Sequence, residues 1–377
     1  MARVAVLHNT LDFQGGADAV CLVTCEALLP DHEVTLFTLS ETDPAALSGR
    51  FDVDVDGLSV RMPPGGAAIA GALAGAVPLI GPQLPFRSVL VRRHFRRYAG
   101  AFDLAVSTAN ELSLPVPSVQ YVHYPQFRRR RLGDGEHGRL NPLWSRLAGP
   151  DRDDLAGAAL LANSGWTADV VERIYGVRPD VVHPPVDRIE GGLPWADREN
   201  GIVVVGRIAP DKRVREAIDV VDRLRDRGRD VHLHVVGAAP RAYRGYVERV
   251  AAAAGERPYV SLERDVDRER LERLLTSHRY GLNLKPEEHF GMSVAEYVAA
   301  GMIAFAPASG GQQEVLDGRT DRLFASVDGA VDLIDAAIAN DDRPSLPPDR
   351  FARERFQSAV AERVAQAVES ADGARDL

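Results

Sequence analysis

At 377 residues and 40.9 kDa, the chain is too long for one ordinary core and suits two domains of roughly 150 to 200 residues each. Apolar side chains make up 45% and charged ones 26%, a balance that excludes disorder, collagen and coiled coil. A net charge of −9 with a pI near 5.6 removes nucleic acid as a whole-surface partner, and of 45 basic side chains only two, Lys212 and Lys285, are lysines.

The first strand is read over residues 3–8, followed by a loop over 9–16 that ends in Gly15 and Gly16, and a helix over 17–29. Short apolar runs at 34–39, 103–108, 118–124 and 158–162 read as further strands buried on both faces. Cys21 and Cys25 stand four apart on the first helix, where a disulfide would be strained, and read as small apolar filler. Alternation of this kind predicts an α/β fold, a parallel sheet with crossover helices in the doubly wound layout.

A passage rich in Pro and Gly over 183–200 carries no periodic pattern and reads as an interdomain linker. Alternation then restarts. Strands are expected at 202–206, 231–237, 259–262, 281–284 and 302–306, helices at about 214–227 and 243–254, and a last amphipathic helix over about 349–371. The expected divisions are residues 1–185, 186–350 and a terminal helix over 351–377 that returns towards the first domain. Two doubly wound domains facing each other would bring the carboxyl ends of both sheets to one crevice, where such folds bind ligands. With no cysteine framework, no charged-then-apolar leader and no apolar run of about 20 residues, the expected location is the cytosol.

The most specific motif is Glu288-His-Phe-Gly-Met-Ser-Val-Ala-Glu296. In one continuous helix its two carboxylates would lie about 12 Å apart and about 80° around the axis, which suits no shared site. Pro286 and Gly291 favour a loop before a helix over 292–300, with Glu288 just ahead of the helix and Glu296 one turn inside it. The amides from Phe290 through Gly291 and Met292 to Ser293 would then form an anion site. Arg207 and Lys212 fall in the loop after the first strand of the second half, where fixed cations suit a diphosphate, and Ser309-Gly-Gly-Gln-Gln-Glu314 follows the last strand. Gly15 and Gly16 supply a second helix start in the first half. Taken singly, each glycine pair or basic loop is an ordinary turn.

In this order, the set resembles the retaining GT-B glycosyltransferases that carry an E-x7-E motif, family 4-like. The resemblance implies two Rossmann-like domains, an N-terminal acceptor-binding one and a C-terminal one for a nucleotide sugar. By the same resemblance, Arg207 and Lys212 would hold the donor diphosphate, Glu296 the donor ribose, and Glu288 hydroxyls of the transferred sugar. Gly16 and the amides of residues 290–293 would complete the phosphate cradle, and His123 would line the sugar site. The strings Tyr121-Val-His-Tyr-Pro125 and Glu288-His-Phe-Gly291 look like mannosyltransferases that extend lipid-linked oligosaccharides, where many relatives have a small residue in place of His289. That favours GDP-mannose as donor, with a UDP-sugar as the alternative, and no permanently bound cofactor. Lys285 is not where the family's lysine is expected.

No Asp-x-Asp metal motif stands after a strand, so a metal-independent hexosyl transfer is expected, with cations and helix dipoles stabilising the leaving diphosphate. On the acceptor side, the apolar stretch 69–80 is followed by Arg87, Arg92, Arg93, Arg96 and Arg97 on an expected helix, and by the run Arg128 to Arg131. This face is read as a dock for an anionic membrane, carrying a polyprenyl-phosphate or phosphoinositide-like acceptor at its inner surface. The rival readings are a sugar-nucleotide epimerase with the same donor cradle, a UDP-glucose or UDP-GlcNAc transferase on a soluble acceptor, and a non-catalytic nucleotide-sugar binder. A Rossmann dehydrogenase is disfavoured, because no G-x-G-x-x-G follows the first strand.

Overall fold

The computed structural model describes residues 1–80, 83–127, 141–240 and 243–375. The Arg128 to Arg131 run lies outside these residues. The chain divides into two compact units, one of Met1–Pro185 with Arg353–Leu377 and one of Val186–Ala352.

In the first unit, seven strands form one parallel sheet. They are β1 (Arg3–Leu7), β2 (Glu33–Phe37), β3 (Ser59–Arg61), β4 (Leu104–Ser107), β5 (Ser118–Val122), β6 (Ala159–Ala162) and β7 (Asp180–Val181), in the order β3-β2-β1-β4-β5-β6-β7. The reversal of direction at β1 is the doubly wound layout, with crossover helices on both faces. The central strands are apolar because both of their faces are covered: every residue of β4 and β5 is buried. Neither β3 nor β7 is visible in the sequence, since both are short, exposed edge strands without an apolar pattern. The helix Gly16–Leu28 buries both cysteines as free thiols. Packed in the same core are Phe356, Val360 and Val364 of the helix Arg353–Arg375, whose spacing of four makes one stripe along it.

The second unit repeats the plan with β8 (Glu199–Val205), β9 (His232–Gly237), β10 (Val260–Arg264), β11 (His278–Leu282), β12 (Ile303–Pro307) and β13 (Leu323–Phe324), ordered β10-β9-β8-β11-β12-β13 and parallel throughout. Most expected elements shift by a few residues at their ends, and two of these shifts bear on the loop region after β11. The strand expected at 281–284 is β11, which starts at His278 and stops at Leu282, so Asn283 to Lys285 belong to the loop. The helix of the E-x7-E segment is Met292–Ala299, preceded by Gly291.

Candidate functional site

The loop after β8 turns through the short helix Pro210–Lys212, and the loop after β11 carries residues 283–291. Since β8 and β11 are sheet neighbours, both loops leave the same carboxyl edge. There Lys212 Nζ donates to Glu288 Oε2 at 2.5 Å, and Lys285 Nζ donates to the other oxygen, Oε1, at 3.3 Å. Lys285 also lies 3.7 Å from Asp211 Oδ2, which in turn is 3.7 Å from Arg207. The chain's only two lysines therefore close on one carboxylate, and Asp211 links them to Arg207. Burial alone would raise Glu288, but Lys212 and Lys285 outweigh it and hold the carboxyl down at about 2, against 4.5 for an ordinary Glu. It is an anion at any physiological pH, and the fall corresponds to about 3 kcal/mol of preference for the charged form.

The Ser309–Glu314 segment, together with Asn283, which the sequence reading did not single out, braces this loop. Gln312 donates to the carbonyls of Lys285 (3.1 Å) and Ser309 (3.0 Å) and accepts from Asn283 at 2.7 Å. The Glu287 amide donates to Ser309 Oγ at 3.0 Å, and the Gly311 amide to the Glu288 carbonyl at 2.8 Å. Gly310 pairs with Glu288 so closely that a Cβ on it would stand 2.3 Å from the Glu288 carbonyl oxygen, and its φ is +77°. The first intrahelical bond of Met292–Ala299 runs from the Ala295 amide to the Gly291 carbonyl, leaving the amides of Met292 to Val294 unused within the helix. Phe290 puts its ring in the core against Phe351. Tyr297 ties the helix to the sheet, accepting the Val205 amide at 2.7 Å. Glu296 is paired with Arg268 at 2.8 Å, another residue the motif reading missed. Beside the loop, Arg213, Leu284, Pro286, Ser309 and Phe324 line a recess of about 230 Å³.

The first unit gathers its own polar cluster at the carboxyl edge of its sheet. His8 lies 3.0 Å from Asp18 Oδ1 and 3.0 Å from Thr108 Oγ1, and the second oxygen of Asp18 accepts the Gly15 amide at 3.1 Å. This chain of bonds sets the glycine turn that opens the helix Gly16–Leu28. His123 is held by its backbone, its amide donating to Asn110 at 2.7 Å and its carbonyl accepting from Asn163 at 3.0 Å. Its ring bonds to the Thr108 backbone, while its buried Nε2 has no hydrogen-bond partner among the described residues. Burial first, and then the charge of His8, lower His123 to about 3, so its ring is neutral.

Residues 186–346 match the family model described as Glycosyl transferases group 1. That match spans nearly all of the second unit, Val186–Ala352. Among curated proteins, the chain is 29% identical over 167 residues to GDP-Man:Man(3)GlcNAc(2)-PP-Dol alpha-1,2-mannosyltransferase of Eremothecium gossypii, covering 40% of this chain and 28% of that one. It is 30% identical over 205 residues to D-inositol 3-phosphate glycosyltransferase 2 of Catenulispora acidiphila, covering 49% of this chain and 48% of that one. The chain thus spans between about a quarter and a half of the length of these relatives. Both units together are similar to sucrose-phosphate synthase from Thermosynechococcus elongatus, with a TM-score of 0.67 and 15% identity over 99% of this chain and 100% of that one. The two Rossmann-like units are those of the GT-B fold.

In the second unit, the lowered Glu288 makes stability depend on pH. A depressed carboxylate contributes stability that is complete above its unfolded value of 4.5 and is lost as pH falls through about 2. Urea midpoints of the parent and of Glu288→Gln should therefore differ by a constant amount above about pH 5 and converge between pH 4.5 and pH 2. A gap that ignores pH would show that the two lysines do not hold the carboxylate.

The basic face expected on the first unit is corrected. Arg87 is fully buried in the helix Leu84–Phe95, on the same stripe as Val91, His94 and Phe95. It donates to the Leu39 carbonyl at 2.9 Å and lies 3.7 Å from Asp12. Arg92 is half-buried on Ser113 and the Leu147 carbonyl. Helical spacing decides this: residues 87, 91, 94 and 95 share one side, and only Arg93, Arg96 and Arg97 of the five face outward. No helix among the described residues is long and apolar enough to cross a membrane.

Proposed function

We propose that this chain is a retaining hexosyltransferase that moves mannose from GDP-mannose to a hydroxyl acceptor. The observation that carries the reading is Glu288, held as an anion between Lys212 and Lys285 directly ahead of the helix Met292–Ala299. An incoming diphosphate competes with Glu288 for Lys212, because a compact ammonium serves a phosphate oxygen as readily as a carboxylate. Arg207 and the amides of Met292 and Ser293 add positive potential on the same edge, with Glu296 on the donor ribose and His289 lining the sugar side. Glu288, turned from lysine to substrate, accepts hydroxyls of the sugar. With a value near 2 it is a poor proton donor, so it acts as an acceptor and an electrostatic partner.

In the transfer, the bond between the anomeric carbon and the phosphate oxygen breaks and its electron pair stays on the diphosphate. The acceptor oxygen bonds to the anomeric carbon on the same face, and its proton passes to the leaving phosphate. Stabilising that developing charge is the largest single contribution the protein makes. In the first unit, the Gly15 amide is already bonded to Asp18 Oδ2, which leaves Gly16 as the candidate anion donor and the Nε2 of His123 as a candidate hydroxyl acceptor. The cations supply the charge that a divalent ion would otherwise bring, so adding Mg²⁺ or Mn²⁺ should leave turnover unchanged.

The names of the relatives support mannose on a lipid-linked glycan, and Arg93, Arg96 and Arg97 give the first unit a basic edge for the inner face of a membrane. A soluble cyclitol acceptor is the second reading, favoured by D-inositol 3-phosphate glycosyltransferase 2 and by the 2-deoxystreptamine glucosyltransferase of Streptomyces kanamyceticus, which is 29% identical over 196 residues. A thermal-shift panel of GDP-mannose, UDP-glucose, UDP-GlcNAc and dTDP-sugars tests the donor. A ligand at 100 times its Kd should stabilise by about 2.7 kcal/mol, with GDP-mannose producing the largest shift. No shift from any of them overturns the proposal, and an epimeric sugar formed from donor alone would replace transfer by epimerisation.

A further inference from the structure

The amino end of the second unit's sheet holds a cluster that the transfer reaction does not use. His232 and His234 alternate on β9 and so share a face, and His278 opens β11 on the same side of the sheet. Between them runs β8, where the residue paired with His232 is Gly201. A Cβ there would stand 2.1 Å from His278 and 2.5 Å from His232, so the missing side chain makes the space in which the three imidazoles meet. One ring nitrogen from each of the three lies within 4.8 Å of the others, and the Nε2 atoms of His232 and His278 are 3.0 Å apart.

The tautomers follow from the partners. His278 Nδ1 lies 2.8 Å from the Leu274 carbonyl, which can only accept, so Nδ1 carries the proton and Nε2 presents a lone pair. His234 Nδ1 lies 2.8 Å from Glu263 Oε1, and Glu263 is fixed as a carboxylate by Arg270 at 2.7 and 2.9 Å. That bond engages Nδ1 and leaves Nε2 as the His234 nitrogen available to a ligand. This carboxylate–histidine arrangement is the outer shell that orients imidazoles on metals and raises their basicity. Glu199 Oε2, 3.5 Å from His232 Nε2, stands beside the cluster as a fourth donor, an oxygen.

We propose that His232, His234 and His278 bind a divalent first-row transition ion of the Zn²⁺ class. Three imidazole nitrogens select such an ion over Mg²⁺ or Ca²⁺, which prefer oxygen ligands. Tetrahedral coordination with bonds of about 2.0–2.1 Å needs nitrogens about 3.3 Å apart, close to the separation already present between His232 and His278. The ion would tie β9 to β11 across β8. Gly201 is five residues from Gly206 at the other end of the strand, about 17 Å away at about 3.3 Å per residue, so the site is structural and does not reach the Lys212–Glu288 edge.

The test uses the untagged full chain, stripped with a chelator and titrated with ZnCl₂ and with CoCl₂ by calorimetry and visible absorption. The expected result is one ion per chain, cobalt bands of a low-coordinate nitrogen site, and a rise in melting temperature on adding Zn²⁺. His232→Gln and His234→Gln change partly exposed residues and should each weaken binding by about 100-fold or more, while Glu263→Gln, which leaves all three ligands in place, should weaken it by about 10–100-fold. Circular dichroism of each variant in chelator should match the parent. Failure of the parent to bind either ion at micromolar concentration overturns the proposal, as does unchanged affinity in both histidine variants.

Discussion

Replacing Lys212 by alanine should lower kcat about 10²–10³-fold, the range seen when one preorganised charge or donor is removed from a site where negative charge develops. The fold should survive the change, because Lys285 remains 3.3 Å from Glu288 and still neutralises it. Lys212→Arg should keep part of the rate: the charge stays, but a planar fork replaces a point charge that has room for a 2.5 Å contact. Steady-state kinetics with the donor found in the thermal-shift panel measure all of these. Full activity in Lys212→Ala would remove the lysine from the reaction and leave the Lys212–Glu288 pair as a stabilising contact only.

Gly310→Ala should be the most damaging single methyl in the second unit's loops. Its Cβ would lie 2.3 Å from the Glu288 carbonyl oxygen, 2.7 Å from the Glu288 nitrogen and 2.8 Å from the Glu287 carbonyl carbon, all backbone atoms. Positive φ adds about 1–3 kcal/mol for a residue with a side chain, and forced backbone displacement about 1–3 kcal/mol more. At about 2–4 °C per kcal/mol for a domain of this size, the melting temperature should fall by roughly 5–20 °C. Turnover should fall further than stability explains, because the displaced atoms carry Glu288. Gly191→Ala is the control: φ is +76°, yet nothing lies within 4 Å, so it should show the conformational cost alone. Equal effects at the two positions would mean that the close approach of Gly310 to Glu288 is of no consequence.

Much of the architecture was legible because buried parallel strands are written as continuous apolar runs. Arg3–Leu7, Leu104–Ser107 and Ile303–Pro307 need no partner information to be recognised. The edge strands Ser59–Arg61 and Asp180–Val181 were not legible, since exposed residues carry no burial pattern. Arg87 shows the opposite failure. Its charge led the reading outward, while its helical phase with Val91 and Phe95 put it in the core, where the Leu39 carbonyl and Asp12 compensate the buried charge. His232-Leu-His234 also went unread, because an H-x-H pair on a strand signifies little until a third histidine from another strand meets it.

The sequence by itself determined the two α/β halves, the loop-then-helix form of the Glu288 to Glu296 segment, and the scarcity of lysine. Only the tertiary structure decided what the two lysines do. Lys212 and Glu288 are 76 residues apart, and they meet because β8 and β11 are neighbours in the sheet order, although β9 and β10 come between them in the chain. Lys285, without a task in the sequence, takes the second oxygen of the same carboxylate because β11 ends at Leu282 and releases it into the loop. Periodicity is local, so a sequence carries it openly. Convergence depends on strand order and on where each strand ends, and those are settled by the packing of the whole unit.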